Sequence, residues 1–219
     1  MHPDPSAPRR PTVDTAVFDL GGVLIDWDPR HLYRTLFDDE AEMEAFLATV
    51  TTPEWNLAQD AGRSWAEAIE ELAARHPEQR ERIEAYWRRW PETLGDAIES
   101  TVAVLAELHA RGVRLLALSN WSAETFPLAR PRYPFLEWFD GIVISGEERL
   151  VKPDPRLFAV LVDRFGVEPA ATVFVDDQPR NVEAAADLGF RAIRFVDAAS
   201  LRDDLRGLGL LDGGRPSRS

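Results

Sequence analysis

Thr15-Ala-Val-Phe-Asp-Leu-Gly-Gly-Val-Leu24 decides the fold class of this chain. A short apolar run meets a carboxylate, Asp19, then two glycines, and then apolar residues resume. The run is too short and too abruptly ended for a helix and reads as a buried strand of a parallel sheet. A carboxylate at the carboxyl end of such a strand stands where open α/β sheets place their ligands. The two glycines permit a tight turn and let backbone N–H groups approach an anion. An ordinary strand-ending turn would look the same, so the rest of the chain has to decide between them.

Working outward, Ile25-Asp-Trp-Asp28 reads as a brief extended or turning segment, and then the texture changes. From Pro29 to about Pro91 no strand-like run occurs, and helix starts follow one another. Asp28-Pro29 and Thr52-Pro53 are N-caps followed by Pro at the first helical position. Ser64-Trp-Ala-Glu67 is a capping box whose helix continues through Ala68, Ile69, Leu72 and Ala73. His76-Pro77 opens a further helix towards Trp90. After Leu94 strands and helices alternate: a helix over Ile98 to Arg111, a strand over Val113 to Leu118, and a helix over Ser122 to Ala129. Then come a strand over Gly141 to Ser145, a helix from Asp154-Pro155 to Phe165-Gly166, and a strand over Thr172 to Val175. A helix from Pro179 to Gly189 and a strand over Arg191 to Phe195 complete the pattern. Five such strands make a doubly wound parallel sheet, with a small helical domain inserted after the first strand. The expected organisation is an α/β core over 12–28 and 92–212, a helical cap over 29–91, and disordered ends at 1–11 and 213–219.

The 219 residues suffice for one sizeable core plus an accessory unit. A net charge of -13 argues against nucleic acid or an anionic membrane as the main partner. No apolar run approaches the ~20 residues that span a bilayer. Without cysteine there is no disulfide or thiolate chemistry, and a cytoplasmic setting is expected. Of the 25 basic residues all but Lys152 are arginine. A lone lysine points to a position that needs a compact point charge and has no room for a planar fork.

Polar residues cluster where the apolar strands stop: Asp19, Ser119-Asn120, Lys152 and Asp176-Asp177. In a parallel sheet these points share one edge, so residues more than 150 positions apart converge. A nucleophilic carboxylate, a hydroxyl, one ammonium and an acidic pair suit phosphoryl transfer through an aspartyl phosphate with Mg²⁺, a hard cation that prefers oxygen donors. Ser119 and Lys152 can hold the transferring oxygens. Each motif also has a plain reading, Ser119-Asn120 as polar strand-end residues and Asp176-Asp177 as a cap for the next helix.

In order and spacing, Phe18-Asp-Leu-Gly-Gly-Val-Leu24, Leu118-Ser-Asn120, Val151-Lys-Pro-Asp-Pro155 and Val175-Asp-Asp177 resemble the four motifs of the haloacid dehalogenase-like superfamily of hydrolases. The helical insertion resembles that superfamily's small helical cap. The resemblance implies a Rossmann-type core and a Mg²⁺-dependent phosphatase acting on a small phosphate monoester, a sugar phosphate being one case. Asp19 would be nucleophile and metal ligand, the Gly21 carbonyl a second ligand, Asp177 a direct ligand and Asp176 a ligand through water. Ser119, Asn120 and Lys152 would grip phosphate, helped by the backbone N–H groups of Leu20 and Gly21.

One departure matters. Phosphatases of this superfamily usually carry a second aspartate two positions after the nucleophile, as acid for the leaving group and then base for water, and here that position is Gly21. Glucose-1-phosphatase-like bacterial members, which this chain resembles, share Asp-Leu-Gly there. General acid–base help is worth ~10²- to 10⁴-fold, so the sequence predicts a slow phosphatase or one that favours good leaving groups. A 2-haloacid dehalogenase, in which Asp19 displaces halide without metal, also lacks that aspartate. Such enzymes, however, place Ser and Asn where this chain has Asp176-Asp177. A third possibility is a phosphate-ligand binding protein that has lost its chemistry. Among the tryptophans, Trp27 and Trp121 are the best placed to meet substrate. Asp60 and Arg63, at an expected helix end in the cap, read more readily as solvated surface, and His2, His31, His76 and His109 as surface residues.

Overall fold

The computed structural model describes residues 12–212. The expectation of disordered ends falls on 1–11 and 213–219 and lies outside the described residues. The chain runs β1 (Thr15–Phe18), β2 (Ile25–Trp27), α1 (Pro29–Tyr33), α2 (Glu40–Thr49), α3 (Pro53–Asp60), α4 (Trp65–Arg75), α5 (Arg80–Arg88) and β3 (Leu94–Ala97). It continues with α6 (Glu99–Ala110), β4 (Arg114–Ser119), α7 (Phe126–Ala129), β5 (Gly141–Ile144), α8 (Ser145–Glu148) and α9 (Pro155–Phe165). The last elements are β6 (Thr172–Asp176), α10 (Pro179–Asp187), β7 (Arg191–Arg194) and α11 (Ala198–Gly207).

The main sheet has the order β5-β4-β1-β6-β7, every pairing parallel. Alternation along its central strands explains why both faces are covered. Ala16, Phe18, Leu115, Ala117, Val173 and Val175 pack on one side with Val104, Leu108, Leu201 and Leu205 of α6 and α11. Val17, Leu116, Leu118 and Phe174 pack on the other with Leu157, Phe158, Leu161 and Ala185 of α9 and α10. The chain reverses its winding direction between β1 and its neighbours β4 and β6. The crevice of such a sheet opens there, beyond the carboxyl ends of the strands.

The helix starts are capped as their sequences require. Asp28, Thr52, Ser64 and Asp154 each accept a hydrogen bond from a backbone N–H of their own first turn. Gly166 ends α9 at φ 62°, where a β-carbon would be strained. From Pro29 to Thr93 the regular elements are all helical. An aromatic cluster holds them together: Tyr86 meets Tyr33, Trp55 and Trp65 with ring centroids 5.3–5.7 Å apart.

Three elements differ from the expectations. Ile25–Trp27 pairs antiparallel with Leu94–Ala97, so the two chain crossings into and out of the helical segment form one ribbon. The helix expected from Ser122 is confined to Phe126–Ala129, because the Ser122 hydroxyl takes the Glu124 N–H and holds residues 122–125 as a turn. The helix expected from Pro77 begins as a short 3-10 turn and becomes α-helical at Arg80.

Candidate active site

Asp19 follows the last residue of β1, and its backbone N–H donates to Val175 O of β6 at 2.9 Å. Gly22, at φ 73°, turns the chain sharply, and a β-carbon there would meet the Asp177 carboxylate at 3.2 Å. The turn thus needs glycine at position 22 for both conformation and room. Position 21 is different: a β-carbon there would have no neighbour within 4 Å.

The strand ends bring Asp19, Ser119, Asn120, Lys152, Asp176 and Asp177 together. Ser119 Oγ donates to Asp19 Oδ1 at 2.7 Å, and Leu20 N donates to the same oxygen at 2.7 Å. The Lys152 ammonium is fully buried, 2.9 Å from Asp19 Oδ2, 2.6 Å from Asp176 Oδ2 and 2.8 Å from Leu118 O. Its three donors therefore have three acceptors in a closed space, which fits a compact ammonium and leaves no room for a guanidinium. Burial pulls the Lys152 pKa down, but Asp19 and Asp176 outweigh it and keep the group charged.

Asp176 is fully buried and accepts from Lys152 Nζ, Asn181 Nδ2 and Gln178 N. Its bond to Gln178 N holds the turn that leads into α10, the structural part that the plain reading gave it. Asp177 is half-buried, and burial raises its pKa. Burial likewise pushes the Asp19 carboxyl up to about 7, against the pull of Lys152 and with the push of Asp176. Oxygens of Asp19, Asp176 and Asp177 lie within 4.8 Å of one another.

Asn120 takes a different part from the expected one. Its Nδ2 donates to Lys152 O at 3.1 Å and its Oδ1 accepts from Lys152 N at 2.8 Å, so the side-chain amide clamps the loop that carries the lysine. Residue 120 still borders the cleft, whose cavity is lined by Asp19, Gly21, Ser119, Asn120, Asp177 and Asp60 among others. A small neighbouring recess of about 60 Å³ is lined by Gly21, Trp27, Asn56, Asp60, Trp90, Asn120 and Trp121. Trp27 and Trp121 thus border the cleft, as their positions suggested. Trp55, Trp65 and Trp87 instead pack with one another and with Tyr86 inside the helical segment.

Asp60 corrects the expectation of a solvated surface. It lines the cleft, its carboxyl accepting from Asn56 Nδ2 at 3.2 Å, with the Ser122 backbone N–H near enough to favour its charged form. Burial pushes that carboxyl up to about 7, with a further push from the Asp19 charge. Arg63 pairs instead with Glu71. Asn181 also escaped the sequence reading, though it had a signal, the first helical turn after Asp176-Asp177. Trp90 reads as one tryptophan among several; its packing against Trp121, 31 residues away, had no signal.

Residues 13–189 match the family described as haloacid dehalogenase-like hydrolase. A sesquiterpene phosphatase of Aspergillus oryzae is 26% identical over 197 residues, covering 90% of this chain and 97% of that enzyme. A phosphoserine phosphatase of Thermus thermophilus is 34% identical over 171 residues, covering 74% of this chain and 66% of that enzyme. Among solved structures, a haloacid dehalogenase family enzyme of Bacteroides thetaiotaomicron, in complex with magnesium and inorganic phosphate, superposes with a TM-score of 0.65 at 22% identity. That match covers 86% of this chain and 98% of the other and concerns the fold. The chain belongs to the haloacid dehalogenase-like hydrolase family.

Proposed function

We propose that this hydrolase is a phosphatase that cleaves a small phosphate monoester, with Asp19 as nucleophile. The observation that carries the reading is the convergence of one nucleophile, one ammonium and two further carboxylates at a single strand edge. The names of the relatives, a sesquiterpene phosphatase and a phosphoserine phosphatase, support it.

The acidic cluster suits a divalent cation. Three carboxylates face one ammonium, and all of the clustered donors are oxygens, the set that Mg²⁺ prefers. Asp19, Asp177 and the Gly21 carbonyl would hold the ion, with Asp176 behind them. Bound there, Mg²⁺ would supply charge compensation for the carboxylates and for a phosphate dianion. Lys152 holds Asp19 and Asp176 in place and keeps positive charge beside the nucleophile. Ser119 Oγ and Leu20 N, both donating to Oδ1, fix the orientation of the Asp19 carboxylate.

The helical segment over 29–91 acts as a cap on the core over 12–28 and 92–212, closing over the substrate and excluding water. The recess beneath it selects the leaving group. Three tryptophans line it, no lysine or arginine does, and Asp60 is its one acidic group. An uncharged alcohol with apolar and hydroxyl faces fits that lining best.

Phosphate release from a panel of neutral phosphate monoesters, with Mg²⁺ and with chelator, tests the reading, and halide release from a short 2-haloacid runs beside it. Magnesium-dependent phosphate release is the expected result. Halide release indifferent to chelator would replace the phosphatase with a dehalogenase.

A further inference from the structure

Asp60 is the last residue of α3, and Asn56 precedes it by one turn on the same helix face. The Tyr86 hydroxyl donates to Asn56 Oδ1 at 3.2 Å, which turns the amide so that Nδ2 donates to Asp60 Oδ2. Ser145 Oγ donates to the Asp60 backbone carbonyl at 2.6 Å, and the Ser122 backbone N–H lies near its carboxyl. The chain then turns away through Gly62 at φ 90°. Asn56, itself held by Tyr86, thus fixes the carboxyl and Ser145 fixes the residue's backbone, at a wall shared by the nucleophile's cleft and the tryptophan recess.

That wall borders Gly21, where a β-carbon would meet nothing within 4 Å. The space left by the missing side chain is thus open, and the Asp60 carboxyl lines the same cleft and the same recess as Gly21. Desolvation keeps the Asp60 proton on near neutral pH, as a proton donor requires.

We propose that Asp60 is the acid and base of this enzyme, a role taken over from the vacant position 21. The proposal rests on the phosphatase reading. In the first step an Asp19 carboxylate oxygen bonds to phosphorus as the bond from phosphorus to the ester oxygen breaks. The ester oxygen keeps the electron pair, takes the Asp60 proton and leaves as the alcohol. In the second step the Asp60 carboxylate takes a proton from water while that water's oxygen bonds to phosphorus. The bond between phosphorus and Asp19 breaks, returning the Asp19 carboxylate, inorganic phosphate and protonated Asp60.

Leaving-group dependence tests this. Steady-state and single-turnover rates are measured with Mg²⁺ on 4-nitrophenyl phosphate, whose phenolate leaves unaided, and on benzyl phosphate, whose alkoxide needs a proton. Asp60→Asn keeps an acceptor for the Ser122 N–H but has no proton to give. In the first step it should slow benzyl phosphate by ~10²- to 10⁴-fold and 4-nitrophenyl phosphate only a few-fold, at little change in KM. Gly21→Asp added to Asp60→Asn, filling the open space, should recover much of the benzyl phosphate rate. A uniform first-step loss across both esters in single turnover, or no first-step loss on either, would overturn the proposal and leave Asp60 a structural carboxyl. Absence of phosphate release from either ester in the wild-type protein would overturn the phosphatase reading itself, a result distinct from either.

Discussion

At the scale of single residues, charge and room decide what each position does. Lys152 fills a closed site with three acceptors around it. Lys152→Arg should overpack that site, costing roughly 1–3 kcal/mol of stability and most of the activity. Chemical denaturation and phosphate-release assays check both, and wild-type behaviour would make the lone lysine incidental. Asp60 gives a pH signature in the metal-free protein. Its folded value, about 7, lies above the ordinary 3.8. The folded state therefore binds the extra proton between those values, and stability is lost as pH rises from about 4 through about 7. Relative to its effect at pH 5, Asp60→Asn should raise Tm further at pH 8 by roughly 5–10 °C, the equivalent of about 2–3 kcal/mol. Thermal unfolding at the two pH values checks the sign. The lone lysine and the motif carboxylates were legible because each is an isolated polar residue at the end of an apolar run. Asp60 was not: in the cleft it meets Asn56 and lies near the Ser122 loop, and nothing near it in sequence announces that loop.

At the scale of elements, the strands of the main sheet could be read from short apolar runs, and the caps from Asp-Pro, Thr-Pro and Ser-x-x-Glu. The ribbon of β2 with β3 could not. Leu94-Gly-Asp-Ala97 has no strand periodicity, and its partner lies more than 60 residues earlier. Pairing between such segments is decided by tertiary closure, which local pattern does not carry. The loop over 121–123 is a second case. Gly146 at the start of α8 packs against it so closely that a β-carbon would fall 2.4 Å from Ala123 N and 2.9 Å from Trp121 O, both backbone atoms. Gly146→Ala should therefore cost roughly 1–3 kcal/mol. It should also displace the Ser122 N–H from Asp60 and lower activity, which unfolding and kinetic measurements check.

At the scale of the molecule, the doubly wound core places its carboxylates at one edge, and the helical segment supplies a wall that the core lacks. Among the described residues no helix is long and apolar enough to cross a membrane. The net charge of -13 repels a phosphate dianion at long range. Raising ionic strength from about 0.01 to 0.15 M shortens the screening length from ~30 to ~8 Å. Under a Mg²⁺ concentration held saturating, kcat/KM for a dianionic ester should rise with that salt while kcat stays level. The central claim is that Asp19 carries the phosphoryl group between ester and water. Acid-quenching the enzyme during turnover of 4-nitrophenyl phosphate with Mg²⁺, followed by peptide mass spectrometry, reads this directly. The peptide containing Asp19 should gain the mass of one phosphoryl group, and Asp19→Asn should show neither that mass nor turnover. Turnover by Asp19→Asn near the wild-type rate would contradict the account.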